Sequence, residues 1–83
     1  MTDKINELRA EIDVIDKELV ELLNRRFDAC VAIGEEKKKN DGIVFDPARE
    51  QRIMTRLNAF SEYGGMVDTI WPHIMAFSKS LQQ

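Results

Sequence analysis

Cysteine occurs once, as Cys30, in this chain of 83 residues. A single thiol excludes an internal disulfide and suits a reducing compartment, so a cytoplasmic location is expected. Proline is almost as scarce. Pro47 and Pro72 are the two, which leaves the first 46 residues without the strongest helix breaker. The lone histidine, His73, has no second histidine and no cysteine at a metal-ligand spacing, so neither a zinc cluster nor a Cys–His nucleophile is expected. Gly-rich phosphate loops are absent too, and no cofactor is called for. The opening Met1-Thr2-Asp3-Lys4 leads into no signal-like apolar region, and no apolar run approaches a membrane span. An excess of positive charge is missing as well. Twelve Lys and Arg face fifteen Asp and Glu, a net charge of −3, which argues against general affinity for nucleic acid or anionic membrane. An anionic ligand must therefore be held by a local cluster of cations.

What is present is helical periodicity in a chain short enough for one domain over residues 1–83. Ile5, Leu8, Ile12, Ile15, Leu19 and Leu22 recur in alternating steps of three and four, the heptad spacing of a helix packed against another helix. One helix is expected from about Lys4 to Lys39, roughly 50 Å long at 1.5 Å per residue. The remaining residues are too few to cover its apolar seam, so a second copy of the chain is the natural partner. Asn40-Asp41-Gly42 supplies turn chemistry, and Ile43-Val44-Phe45 reads as a short extended linker. Asp46-Pro47 reads as an N-cap followed by Pro at the first helical position. The second helix carries Ile53, Met54, Leu57 and Phe60 on one face and ends near Ser61. Tyr63-Gly64-Gly65 is a turn, and a third helix runs to the C-terminus. Pro72 is awkward there, so that helix either starts with Thr69 as N-cap or kinks at the proline. The fold class is all-α: three helices, the first very long.

The informative residues are polar ones placed where the pattern asks for apolar ones. Arg26 lies on the heptad seam four residues after Leu22, and its neighbours at three and four are Leu22, Leu23, Ala29 and Cys30. No carboxylate on its own helix can pair with it. Lys37 lies eleven residues on and points about the same way, roughly 16 Å further along the helix. Burying unpaired charge is costly, which calls for an anion between or beside these two cations. Arg9 flanks the seam, placed to reach a partner helix or to pair with Asp13. It lies about 25 Å from Arg26 on the same helix, so one small molecule can meet both only if an antiparallel partner supplies Arg9.

Glu50 falls on the apolar face of the second helix, with Asp46, Ile53 and Met54 as its intrahelical neighbours and no cation among them. Helix-dipole stabilisation is the bland account of that position; Arg49 beside it can orient it or bind an anion. On the third helix Ser78 follows Ile74 by four, and Gln82 follows Ser78 by four, so both continue the apolar stripe. Together these interruptions describe a polar pocket for a compact anion that bears a hydroxyl, working by charge and hydrogen bonds alone.

The same residues make the sequence similar to the helical chorismate mutase family. The resemblance runs through Leu8-Arg9, Ile12-Asp13-Val14-Ile15-Asp16, Leu22-Leu23-Asn24-Arg25-Arg26 and Ile33-Gly34-Glu35-Glu36-Lys37. It continues in Asp46-Pro47-Ala48-Arg49-Glu50 and closes with Ser78-Lys79-Ser80-Leu81-Gln82. It implies an intertwined helical homodimer with two identical sites, and a Claisen rearrangement of chorismate to prephenate on the way to phenylalanine and tyrosine. By that resemblance Arg26 and the Arg9 of a partner chain clamp the two carboxylates. Lys37 and Gln82 donate to the ether oxygen. Glu50, with the backbone at Asp46, holds the ring hydroxyl, and Ser78 and Arg49 lend support. Two further enzymes fit the same fold: a lyase releasing pyruvate from isochorismate, and a mutase acting on 4-amino-4-deoxychorismate. A non-catalytic helical dimerisation or regulatory module is the alternative of another class.

Overall fold

A computed structural model describes residues 2–40, 42 and 46–83. Three helices and, among the described residues, no strand make up the chain: α1 (Thr2–Lys39), α2 (Pro47–Asn58) and α3 (Met66–Gln82). The expected linker Ile43-Val44-Phe45 and the turn residue Asp41 lie outside the described residues.

The 38 residues of α1 account for the long dimension of the molecule, which measures 58 × 24 × 15 Å. Lys37, Lys38 and Lys39 occupy its last turn, where cations favour the negative end of the helix dipole. The helix is closed by Asn40, whose backbone N–H reaches the Glu36 and Lys37 carbonyls at 3.2 Å and whose side-chain amide donates to the Glu36 carbonyl at 2.9 Å. Gly42 N–H then folds back onto the Lys37 carbonyl at 2.7 Å. A side chain on Gly42 would come within 2.9 Å of Lys37 Cγ, so the bare glycine lets the chain lie against the lysine stem.

Asp46 caps α2 as its sequence position requires, its carboxylate accepting from Arg49 N–H at 3.0 Å. The helix stops at Asn58, three residues short of Ser61, and a turn carries the chain on through Phe60 N–H and Ser61 N–H to the Leu57 carbonyl. Phe60 consequently leaves the apolar face and is 74% exposed, while Ile53 is buried and Met54 and Leu57 are half-buried.

The third helix starts earlier than an N-cap at Thr69 would have it and continues through Pro72. Gly65 takes a left-handed φ of 82°, a conformation natural to glycine, and helix follows from Met66. Thr69 is not the cap: its hydroxyl and its N–H both donate to the Gly65 carbonyl, at 2.7 and 3.0 Å. Pro72 sits inside the helix, where it deprives the Asp68 carbonyl of one intrahelical donor. The turn before it is anchored instead by packing, since Val67 is 2% exposed, and by Asn58, which donates to the Asp68 side chain at 3.0 Å.

α3 packs on both other helices. Arg26 meets Ser78, Phe27 meets Phe77 edge-on at 4.9 Å, and Lys37 meets Gln82, so α1 and α3 run in the same sense. Asn58 meets Asp68 and Glu50 meets Lys79, so α2 runs against α3. The core between them is small: among the described residues Cys30, Ile53, Val67 and Met75 are its buried apolar side chains. Every described residue from 3 to 22 is exposed. The radius of gyration is 16.5 Å, against about 12 Å for a compact domain of this length.

Candidate functional site

The polar interruptions of the three stripes converge at the end of the molecule where the helices meet. A pocket of about 290 Å³ lies there, near the lower bound of roughly 300 Å³ for small-molecule sites. Arg26, Cys30, Ile33 and Lys37 line it from α1. Asp46, Arg49, Glu50 and Ile53 do so from the start of α2, and Met75, Ser78, Lys79 and Gln82 from α3. Of the eight residues singled out in the sequence, seven line this one cavity. Arg9 does not; it stands exposed on the uncovered part of α1.

Most of these polar side chains are held by a neighbour. Ser78, 5% exposed, donates its hydroxyl to the Ile74 carbonyl at 2.8 Å and accepts from Arg26 Nη1. The guanidinium is thereby fixed against α3, with Cys30 Sγ 3.9 Å from the same nitrogen. Lys37 Nζ donates to Gln82 Oε1 at 3.1 Å. That bond occupies the amide oxygen and leaves the two amide N–H donors of Gln82 to offer. Lysine and glutamine therefore form a paired donor group on one wall, with Arg26 about 16 Å away along α1.

The close approach behind the Lys37–Gln82 pair depends on Gly34, which is buried. A Cβ at that position would stand 2.8 Å from Gln82 Cα and 3.0 Å from its carbonyl oxygen. Such contact with backbone is prohibitive, so the absence of a side chain at 34 sets how near α3 comes to α1 beside Lys37.

Glu50 has a cationic partner that its own helix does not supply. Lys79 of α3 lies 3.2 Å from Oε2, both side chains being about one-third exposed. Lys79 did not stand out in the sequence because its partner is 29 positions away. The available signal was its place four residues after Met75, the α3 residue buried toward α2. With it the pocket holds Arg26, Lys37, Arg49 and Lys79 against Asp46 and Glu50, a local charge of +2 in a chain of net −3. That is the cation cluster a small dianion needs. Among the described residues no group of three His, Cys, Asp or Glu side chains is placed to hold a metal ion, and no helix is long and apolar enough to cross a membrane.

Comparison with known proteins bears on this geometry. The family model for chorismate mutase type II matches residues 8–83. A bifunctional chorismate mutase/prephenate dehydratase of Aquifex aeolicus (strain VF5) is 38% identical over 66 residues. The match covers 77% of this chain and 18% of that protein's length.

Proposed function

Because the chain belongs to the chorismate mutase type II family, we propose that its pocket rearranges chorismate to prephenate, a step toward phenylalanine and tyrosine, by binding and electrostatics alone. The observation that carries this reading is the paired donor Lys37–Gln82 facing a pocket of net positive charge. In the Claisen rearrangement a C–O bond breaks while a C–C bond forms within one molecule, so no base or nucleophile is called for. Two tasks remain for the protein. It selects the compact conformer of a flexible dianion, which removes the entropic part of the barrier. It also places positive charge and N–H donors where the ether oxygen becomes electron-rich, an interaction stronger in the transition state than in the ground state. In this reading Arg26, braced by Ser78, receives one carboxylate. Lys37 and the amide N–H groups of Gln82 meet the ether oxygen. Glu50, with the Asp46 backbone, accepts the ring hydroxyl, and Arg49 supports it.

One carboxylate clamp is missing from the pocket of a single chain, and the exposed seam of α1 suggests its source. Ile5, Leu8, Ile12, Ile15, Leu19 and Leu22 are each between 44% and 54% exposed, on the part of α1 where every described residue from 3 to 22 is exposed. A second α1 packed along that seam makes a homodimer and carries the partner's Arg9 toward the Arg26 pocket, which completes a two-point hold on the dianion.

The test is product identification. Purified protein mixed with chorismate, without added metal or cofactor, is expected to form prephenate at a saturable rate. Intact chorismate, with turnover of isochorismate to pyruvate instead, would transfer the site to the lyase chemistry. Silence on chorismate, isochorismate and 4-amino-4-deoxychorismate from a folded protein would favour a non-catalytic module.

A further inference from the structure

We infer that Lys79 is a specificity residue: by occupying one side of the Glu50 carboxylate it makes the site prefer a ring hydroxyl over a ring ammonium. The inference rests on the proposed placement of Glu50 against the ring substituent, and it concerns how that carboxylate discriminates.

An isolated carboxylate does not prefer a hydroxyl. Alcohol and ammonium alike give a charge-assisted hydrogen bond to a carboxylate, but the ammonium adds the attraction of a full opposite charge, so a lone Glu50 would hold an ammonium more tightly than an alcohol. Here Glu50 is not alone. Lys79 Nζ lies 3.2 Å from Oε2, and both residues line the pocket. Oε1 is the oxygen left to meet a ligand. An ammonium placed on it would stand one carboxylate's width from the Lys79 ammonium, inside the Debye length of about 8 Å at physiological salt. Like charges at that range oppose each other. They do so in a cavity that already holds Arg26, Lys37 and Arg49, where a further cation on the ligand is disfavoured throughout. A hydroxyl donates its proton to Oε1 and carries no charge to be repelled. The partial burial of the pair, with side chains 33% and 28% exposed for Lys79 and Glu50, keeps water from screening it fully.

Alternatively, a lysine in this place would be only one more cation that attracts a dianion. The two roles separate in experiment. A general attractor strengthens both ligands alike, whereas a specificity residue changes their ratio. The measurement is the KM for chorismate and the inhibition constant of 4-amino-4-deoxychorismate as a competitor of chorismate turnover, on one preparation of each protein. The ratio of the two constants does not depend on the fraction of folded enzyme. In Lys79→Met the ratio of inhibition constant to KM is expected to fall about tenfold or more, an order set by removing one nearby like charge. In Lys79→Arg, which keeps the cation, it is expected to stay within about twofold of the original. An unchanged ratio in Lys79→Met, or an equal fall in both variants, would overturn the specificity role while leaving the mutase reading intact. Failure of the unaltered chain to form prephenate would remove the placement of Glu50 and the inference with it.

Discussion

At the scale of single residues, several polar groups of the site are held by another, so removing one holder exposes what it held. Ser78 is the clearest case. It is buried, and its hydroxyl donates a hydrogen bond to the Ile74 carbonyl while accepting from Arg26. Ser78→Ala leaves the guanidinium without that acceptor, at a cost of about 1–3 kcal/mol for an unsatisfied partly buried donor. The expected result is a raised KM for chorismate, read from steady-state kinetics, with a smaller change in kcat, because Arg26 is assigned to the ground-state carboxylate as well as to the transition state. An unchanged KM would show that Arg26 needs no brace. Arg26 and Glu50 were legible in the sequence because each breaks an apolar stripe without a partner on its own helix, and Lys37 because it points the same way as Arg26. Lys79 was not, because a cation at a helix surface is ordinary until the facing helix is known.

At the scale of helices, the determining feature is how closely α3 approaches α1. Gly34 permits that approach, with no room for a Cβ beside Gln82 Cα. Gly34→Ala is expected to push the last turn of α3 away from Lys37, costing about 1–3 kcal/mol of stability as other overpacked contacts do. It is also expected to lower kcat. Combined with Gln82→Ala the second effect should largely vanish, since the displaced amide is then already gone. Thermal melts and a double-mutant cycle in kcat check both parts, and fully additive losses would contradict the positional role. The sequence announced α1 through its heptads and α2 through Asp46-Pro47. It did not announce where α3 begins. The expected start at Thr69, the alternative to a kink at Pro72, came from the intrinsic cost of proline in a helix, and that cost is overridden by the buried Val67 and by the Asn58–Asp68 bond. Phe60 escaped for a related reason: periodicity continues on paper past the point where the Leu57 carbonyl begins a turn.

At the scale of the whole molecule, the chain has a site at one end and an unburied apolar rod at the other. Four buried apolar side chains among the described residues make a slight core, and domains this small commonly gain stability from association. The proposed dimer would cover the α1 seam. Replacing Ile12 and Leu19 together by Lys is expected to halve the mass found by sedimentation and to lower the melting temperature. A dimer unchanged in mass would place the interface elsewhere. The proposed origin of Arg9 has its own test. Arg9→Ala and Arg26→Ala are each expected to abolish turnover. Unfolded together and refolded, they should recover about a quarter of the original activity, because half of the dimers are mixed and each mixed dimer holds one intact site. No recovery would mean that Arg9 acts within its own chain or not at all.

The claim on which everything else depends is that Lys37, paired with Gln82, stabilises the ether oxygen as the bond to it breaks. Prephenate formation by Lys37→Ala beside the unaltered chain, both shown folded by circular dichroism, tests it most directly. The expected result is a loss in kcat of about 10²–10³, the cost of removing one preorganised donor to developing negative charge. Turnover preserved in the folded variant would contradict it.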